Sequence, residues 1–235
     1  MSHAITPDDL HHDDHHHEPT FMERYIIPLD HKFIAQQYLI TGMAMALFGG
    51  FFAYAFRMQL AWPGTAIPLF GYMSPAEYNA AVTNHGTIMI FWVAMPVLIA
   101  AFGNFLIPLM VGADDMAFPR LNRLSYQVFL LSSIIIVGSL FVPGGGFGGA
   151  WTAYPPLSAD AAYNLTPLGS TLWITAVGLE FVAFLIGGIN FIVTAMNARA
   201  PGMRWDDVPM VVWMICIASI LFMASVGPLL AGAIM

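Results

Sequence analysis

VTNHGTIMIFWVAMPVLIAAFGNFLIPLMV, residues 82–111, holds thirty consecutive residues without a charged side chain, and one histidine, His85. Roughly 20 apolar residues suffice to cross a hydrocarbon core, so the stretch reads as a membrane helix. The other seven of the eight histidines lie at or before His31, in a polar leader, so His85 is the one imidazole inside an apolar run. Counted in helical steps, Met89, Trp92 and Pro96 share its face, and Gly103 falls on the same line. A face that is partly small and partly aromatic suits a flat cofactor, with the imidazole as an axial metal ligand in a fixed tautomer. A histidine hydrogen-bonded between helices is the other reading of this run.

Composition sets the class. Of 235 residues, 58% are hydrophobic and 9% charged, which excludes an ordinary soluble domain and makes this an integral membrane protein. The net charge of -7 comes largely from the leader and implies no nucleic-acid partner and no basic membrane-surface patch. The single cysteine, Cys216, lies in an apolar run, which points to packing. The first thirty residues contain no apolar core of signal-peptide length, so insertion is expected to rely on the first span.

The chain is expected to be all-α. Residues 1–22 form a polar, disordered tail whose run HHDDHHH offers His11, His12, His15, His16 and His17 without fixed spacing; a solvated tail is favoured there over a metal site. Residues 23–235 form a transmembrane bundle with spans at about 33–60, 82–111, 124–142, 168–196 and 208–235. Arg57 sits in the last turn of the first. A loop carrying Tyr72, Glu77 and Tyr78 precedes the second. The connection PGGGFGGAWTAYPPL, 143–157, places Trp151 and Tyr154 at interfacial depth. The fourth span contains Glu180 and Asn190. Five spans put Arg24, Lys32, Arg120, Arg123, Arg199 and Arg204 on one side, which the positive-inside rule makes cytoplasmic. The N-terminus is then inside, with His85 and Arg57 near the outer face.

Three segments, HGTIMIFWVAMPVLIAAFGNFLIPLMVGADDMAFPRLNRLSY, FVPGGGFGGAWTAYPPL and GGINFIVTAMNARAPGM, resemble subunit I of the haem-copper terminal oxidases, the A-type branch typified by cytochrome c oxidase. The resemblance runs from about residue 24 to the last residue. It implies that His85 is an axial ligand of a low-spin haem, of A type, and that Arg57 contacts that haem's ring substituent. It implies that Trp151 and Tyr154 cover the haem propionates. It implies further that Asp115 stands at the cytoplasmic mouth of a proton channel lined by Asn104, Asn122 and Asn190. The implied setting is a bacterial inner membrane, with lipid, further oxidase subunits, and cytochrome c or quinol as electron donor.

The sequence also departs from the family pattern. Arg123 stands where an asparagine is common, and Gln59 replaces an acidic residue of a structural cation site, so that site is not expected. Ala183 and Phe184 replace a serine pair that holds channel water. Glu180, about one turn earlier, is expected to bridge that gap, or else to pair structurally with another helix or subunit. The family has twelve spans, and the copper, high-spin haem and second low-spin haem ligands follow the fifth. The chain is therefore expected to be a truncated piece or one half of a split subunit, with high-spin haem and copper held elsewhere. Two other readings remain: a non-catalytic membrane scaffold derived from such a subunit, and a transporter that uses Asp115 and Glu180, which leaves the glycine-rich loop and Arg57 without a role.

Overall fold

The computed structural model describes residues 20–22, 26–160, 162–164 and 166–234. The histidine run at 11–17 and Arg24 lie outside the described residues. Among these residues the chain is all-helical, apart from an isolated bridge between Ile67 and Gly71, and five helical segments are long and apolar enough to cross a membrane. The first is α1 (His31–Ala61), and the second runs unbroken from Pro75 to Val111. It begins as α2 (Pro75–Thr87), continues through wide π-helical turns at Ile88–Ala94 and Pro96–Ala101, and ends as α3 (Phe102–Val111). Then come α4 (Pro119–Gly138), α5 (Pro167–Asn197) and α6 (Met210–Ile234).

Local chemistry sets these boundaries. Asp30 caps α1 by accepting from the N–H groups of Lys32 (2.7 Å) and Phe33 (3.3 Å). Ser74 and Glu77 close a reciprocal capping box, and Pro75 at the first helical position needs no donor, so α2 starts at Pro75. Glu77 and Tyr78, expected in a loop, therefore stand in the first turns of this span; hydropathy marks only its apolar part, whereas capping marks its start. In the same way Pro119 opens α4 five residues before the apolar run, bringing Arg120 and Arg123 into the helix.

Pro96 has no N–H, and its ring would collide with a carbonyl one turn back in a regular helix. The wide turns around it relieve that conflict: the Met95 N–H reaches back five residues, to the Ile90 carbonyl. The helices pack through large apolar side chains such as Ile34, Ile88, Trp92, Phe129 and Ile136 together with small and polar residues, while many other large apolar side chains face outward. In α1, Ala35, Tyr38, Gly42, Met45 and Gly49 are buried while Leu39, Ile40, Met43 and Leu47 are exposed. A β-carbon on Gly42 would come within 2.6 Å of the Val97 side chain, so the glycine is what lets α1 approach the second span. One end of the bundle carries Arg120, Arg123, Arg199 and Arg204, and the other carries the glycine-rich loop.

Candidate haem-ligand and proton-path sites

His85 lies half-buried at the glycine-loop end of the second span. Its Nδ1–H donates to the carbonyl of Gly49 in α1 (2.9 Å), and Phe56 packs edge-on against the ring at 5.5 Å. A carbonyl can only accept, so Nδ1 carries a hydrogen, and Nε2 has no protein partner among the described residues. This is the arrangement by which a protein orients an imidazole toward a metal. The close approach depends on Gly49, since a β-carbon there would fall 3.0 Å from Ile88 Cγ2.

The glycine-rich loop is fastened to the residues just before His85. Asn84 Nδ2 donates to the Phe147 carbonyl (3.0 Å), and the Ala150 N–H donates to Thr83 Oγ1 (3.1 Å). Phe147 is buried against Trp173, with ring centroids 4.9 Å apart. The Trp151 ring lies 6.0 Å from Phe91, flanked by Ala150 (φ 65°) and Ala153 (φ 46°) in left-handed backbone that non-glycine residues seldom adopt. Trp151 is half-exposed and Tyr154 largely exposed. Arg57, beside Phe56, is exposed and makes no hydrogen bond or ion pair among the described residues. The structure thus gathers His85, Arg57, Trp151 and Tyr154 at one end of the bundle but brings none of the last three into contact with the imidazole.

At the basic end, α3 contains Pro108, whose missing N–H would have bonded the carbonyl of Asn104. His31 takes that place: its Nδ1–H donates to Asn104 O at 2.7 Å, and the side chain is 2% exposed. The sequence reading left His31 in the polar leader. The available signal was a histidine directly after the helix-capping Asp30, but its acceptor lies 73 residues away. Asp115 sits beside it, half-buried, with Oδ1 accepting from the Met116 N–H (2.6 Å). Burial pushes its carboxyl above the ordinary aspartate value, and Asp30 adds to this, against the opposing pull of the Met116 N–H and of His31.

The three asparagines differ. Asn104 is buried, with Nδ2 on the Ala100 carbonyl (2.8 Å) and Oδ1 unpartnered. Asn122 is fully buried with both amide atoms unpartnered. Buried amide atoms without protein partners call for water. Asn190, by contrast, clamps the backbone of Phe118, accepting from its N–H (2.9 Å) and donating to its carbonyl (3.2 Å). Deeper in, Tyr38 donates to Ser125 (3.0 Å), which donates to the Asn122 carbonyl (2.6 Å). Phe129, buried, stacks on the Tyr38 ring with centroids 5.1 Å apart, and Ala183 on α5 is buried as well. Beyond them Glu180 is fully buried, with Oε2 3.1 Å from Ser132 Oγ on α4 and Oε1 unpartnered. Among the described residues no cluster of three or more His, Cys, Asp or Glu side chains is placed to hold a metal ion.

These features define an all-helical membrane protein with an oriented intramembrane histidine at one end and a half-buried acid leading to water-demanding amides at the other. The family model described as cytochrome c and quinol oxidase polypeptide I matches residues 33–235, and the chain belongs to that family. Cytochrome c oxidase subunit 1 of Thermostichus vulcanus is 41% identical over 207 residues, covering 88% of this chain and 36% of the relative. A protein named alternative cytochrome c oxidase subunit 1, from Bradyrhizobium diazoefficiens, is 36% identical over 220 residues, covering 94% and 36%. Cytochrome c oxidase subunit 1 of Cereibacter sphaeroides is 36% identical over 249 residues, covering 95% and 43%. The chain thus spans a little over a third of the length of these curated relatives.

Proposed function

We propose that this chain is the haem-anchoring and proton-intake part of the membrane subunit of a respiratory oxidase that reduces oxygen and translocates protons. The observation that carries the reading is the Nδ1–H bond from His85 to Gly49, which leaves Nε2 as a free ligand nitrogen in an apolar setting. The residues present fit a low-spin haem of A type: His85 would hold the iron from one side, Arg57 would meet a polar ring substituent, and Trp151 and Tyr154 would shield the propionate edge from water. Bound there, the haem would supply a one-electron redox centre. The second axial base, the high-spin haem and the copper belong, on this reading, to segments outside these 235 residues, including spans six to twelve. The electron donor is cytochrome c or quinol, and the complex sits in a bacterial inner membrane with its basic end cytoplasmic.

The protein's own part in proton intake is argued from burial. Asp115 collects a proton at the basic end, where its raised affinity lets it hold one more readily than an exposed aspartate. Asn104 and Asn122 order water through unpartnered amide atoms, and neutral amides do so without trapping the charge. Asn190 serves this path by fixing the loop that carries Asp115. Reduced-minus-oxidised difference spectra of the assembled complex test the reading: His85→Leu should abolish the low-spin haem band. A normal band in that variant refutes the ligand assignment, and a native complex without haem favours a scaffold.

A further inference from the structure

The hydrogen bonds around Ser132 bear on the state of Glu180. Three side chains that are fully buried meet here: Glu180 from α5, Ser132 from α4 and Trp92 from the π-helical stretch of the second span. Ser132 Oγ lies 2.7 Å from the Phe129 carbonyl, 3.1 Å from Trp92 Nε1 and 3.1 Å from Glu180 Oε2. A serine hydroxyl has one hydrogen to give and two lone pairs to accept with. The Phe129 carbonyl can only accept and is the nearest of the three, so it takes the hydroxyl hydrogen. The indole N–H can only donate, so it fills one lone pair. The remaining contact joins a lone pair of Ser132 to a carboxyl oxygen, and it is attractive only if the carboxyl supplies the hydrogen.

One competing arrangement exists, because the Ser133 hydroxyl also donates to the Phe129 carbonyl (2.8 Å) and could release Ser132 to turn toward Glu180. That arrangement leaves an ionised carboxylate in the interior with one hydrogen bond and a bare Oε1. The one ion pair among the described residues, Arg204–Asp206, is on the surface, and no cation pairs with Glu180. Desolvating a lone charge costs far more than one neutral hydrogen bond returns, so the arrangement in which the acid donates wins.

We propose that Glu180, Ser132 and Trp92 form a proton-holding site within the membrane span, in which Glu180 is a neutral acid carrying its proton on Oε2 and Oε1 is an open acceptor for a water or hydroxyl donor. Ser132 and Trp92 are positioning residues: Trp92 occupies one lone pair of Ser132 and so directs the other at the acid. Tyr38 heads a line of hydrogen bonds through Ser125 to the Asn122 carbonyl, on the side of the bundle toward Asp115. Use of the site in proton intake rests on the functional reading above, whereas the placement of the hydrogen does not.

The test is infrared spectroscopy of the full-length protein in native membranes, comparing variants with wild type in H2O and D2O. The expected result is one protonated-carboxyl C=O band that shifts down in D2O and is missing in Glu180→Gln. In Ser132→Ala the same band should persist at higher frequency, because the acid loses its acceptor. Trp92→Phe should move the band without removing it. A band set unchanged by Glu180→Gln overturns the neutral acid, and an unchanged frequency in Ser132→Ala overturns the placement on Oε2. Should Glu180→Gln fail to accumulate, the Ser132→Ala shift decides alone. A native complex that lacks any haem band but shows this infrared band would sink the oxidase reading and leave this one standing.

Discussion

Gly49 and Gly50 are neighbours in α1 with opposite surroundings, which makes the pair a sharp probe of how His85 is held. A β-carbon at Gly49 would lie 3.0 Å from Ile88 Cγ2 and 3.1 Å from Met89 Sδ, so α1 and the second span must part by a few tenths of an ångström; at Gly50 it would meet nothing within 4 Å. Overpacking of this kind costs about 1–3 kcal/mol. Replacing glycine by alanine inside a helix returns about 0.5–1 kcal/mol. Gly50→Ala should therefore be stabilising by about 0.5–1 kcal/mol, and Gly49→Ala neutral to destabilising by roughly 2 kcal/mol. The same separation stretches the 2.9 Å bond from His85 Nδ1–H to Gly49 O. Losing an outer partner of a metal-bound histidine typically weakens the metal site by about 10–100-fold, so Gly49→Ala should also retain less haem. Thermal unfolding of the detergent-solubilised complex reads the first effect and haem-band intensity during dilution reads the second. If the two variants melt alike and hold haem alike, the argument that Gly49 positions His85 is wrong.

Two further predictions concern the basic end. Burial raises the pKa of Asp115, so the folded chain holds that proton more tightly than the unfolded one; its contribution to stability is full below the ordinary aspartate pKa and is lost as pH rises through the raised value. Asp115→Asn should flatten the thermal-stability profile across that window and slow proton uptake by the complex, and an unchanged profile with unchanged uptake counts against the assignment. Asn190→Ala strands the Phe118 N–H, whereas the Phe118 carbonyl keeps the Asn122 N–H at 2.9 Å, so the cost should be that of one unpaired donor, about 1–3 kcal/mol. Amide exchange at Phe118 should quicken in that variant while exchange within the interior of α5 stays unchanged, and equal exchange at Phe118 refutes the clamp.

How far the sequence could be read follows from the solvent. Length and apolarity are what a bilayer demands of a spanning helix, so the five spans are legible as runs. Which face of each turns inward is not, because lipid is as apolar as a core, and the usual contrast between a wet and a dry face vanishes. In α1 the buried face holds Ile34, Ala35, Tyr38, Gly42, Met45 and Gly49, while Leu39, Ile40 and Leu47 face outward, so apolarity does not tell the two faces apart. Polar residues in the runs were the better guide, and His85, Asn104 and Glu180 are all held inward or between helices, as is Asn122 just before the third run. Their partners were out of reach, since the hydroxyl beside Glu180 is 48 residues away and the acceptor of His31 is 73. The start of α2 is written in Ser74, Pro75 and Glu77, a capping signal that hydropathy does not carry.

His85, half-buried, and His31, buried, are fastened in opposite senses. His85 on the second span donates to a carbonyl of α1, and His31 on α1 donates to a carbonyl of the second span. The acceptors differ in kind. Gly49 O lies mid-helix and takes the imidazole on its second lone pair, so that bond depends on how closely the helices approach and hence on a glycine. Asn104 O has lost its own helical donor to Pro108, so that bond repairs a defect and depends on a proline. Between these anchors the second span passes through its wide turns at Ile88–Ala94 and Pro96–Ala101, where the regular ladder has already yielded. One element thus carries His85 at one end and Asn104 at the other, each joined to α1 by its own hydrogen bond. The two bonds are made at opposite ends of the span and by different means, so a substitution at Gly49 should leave the His31–Asn104 bond in place, and one at Pro108 should leave the His85–Gly49 bond in place.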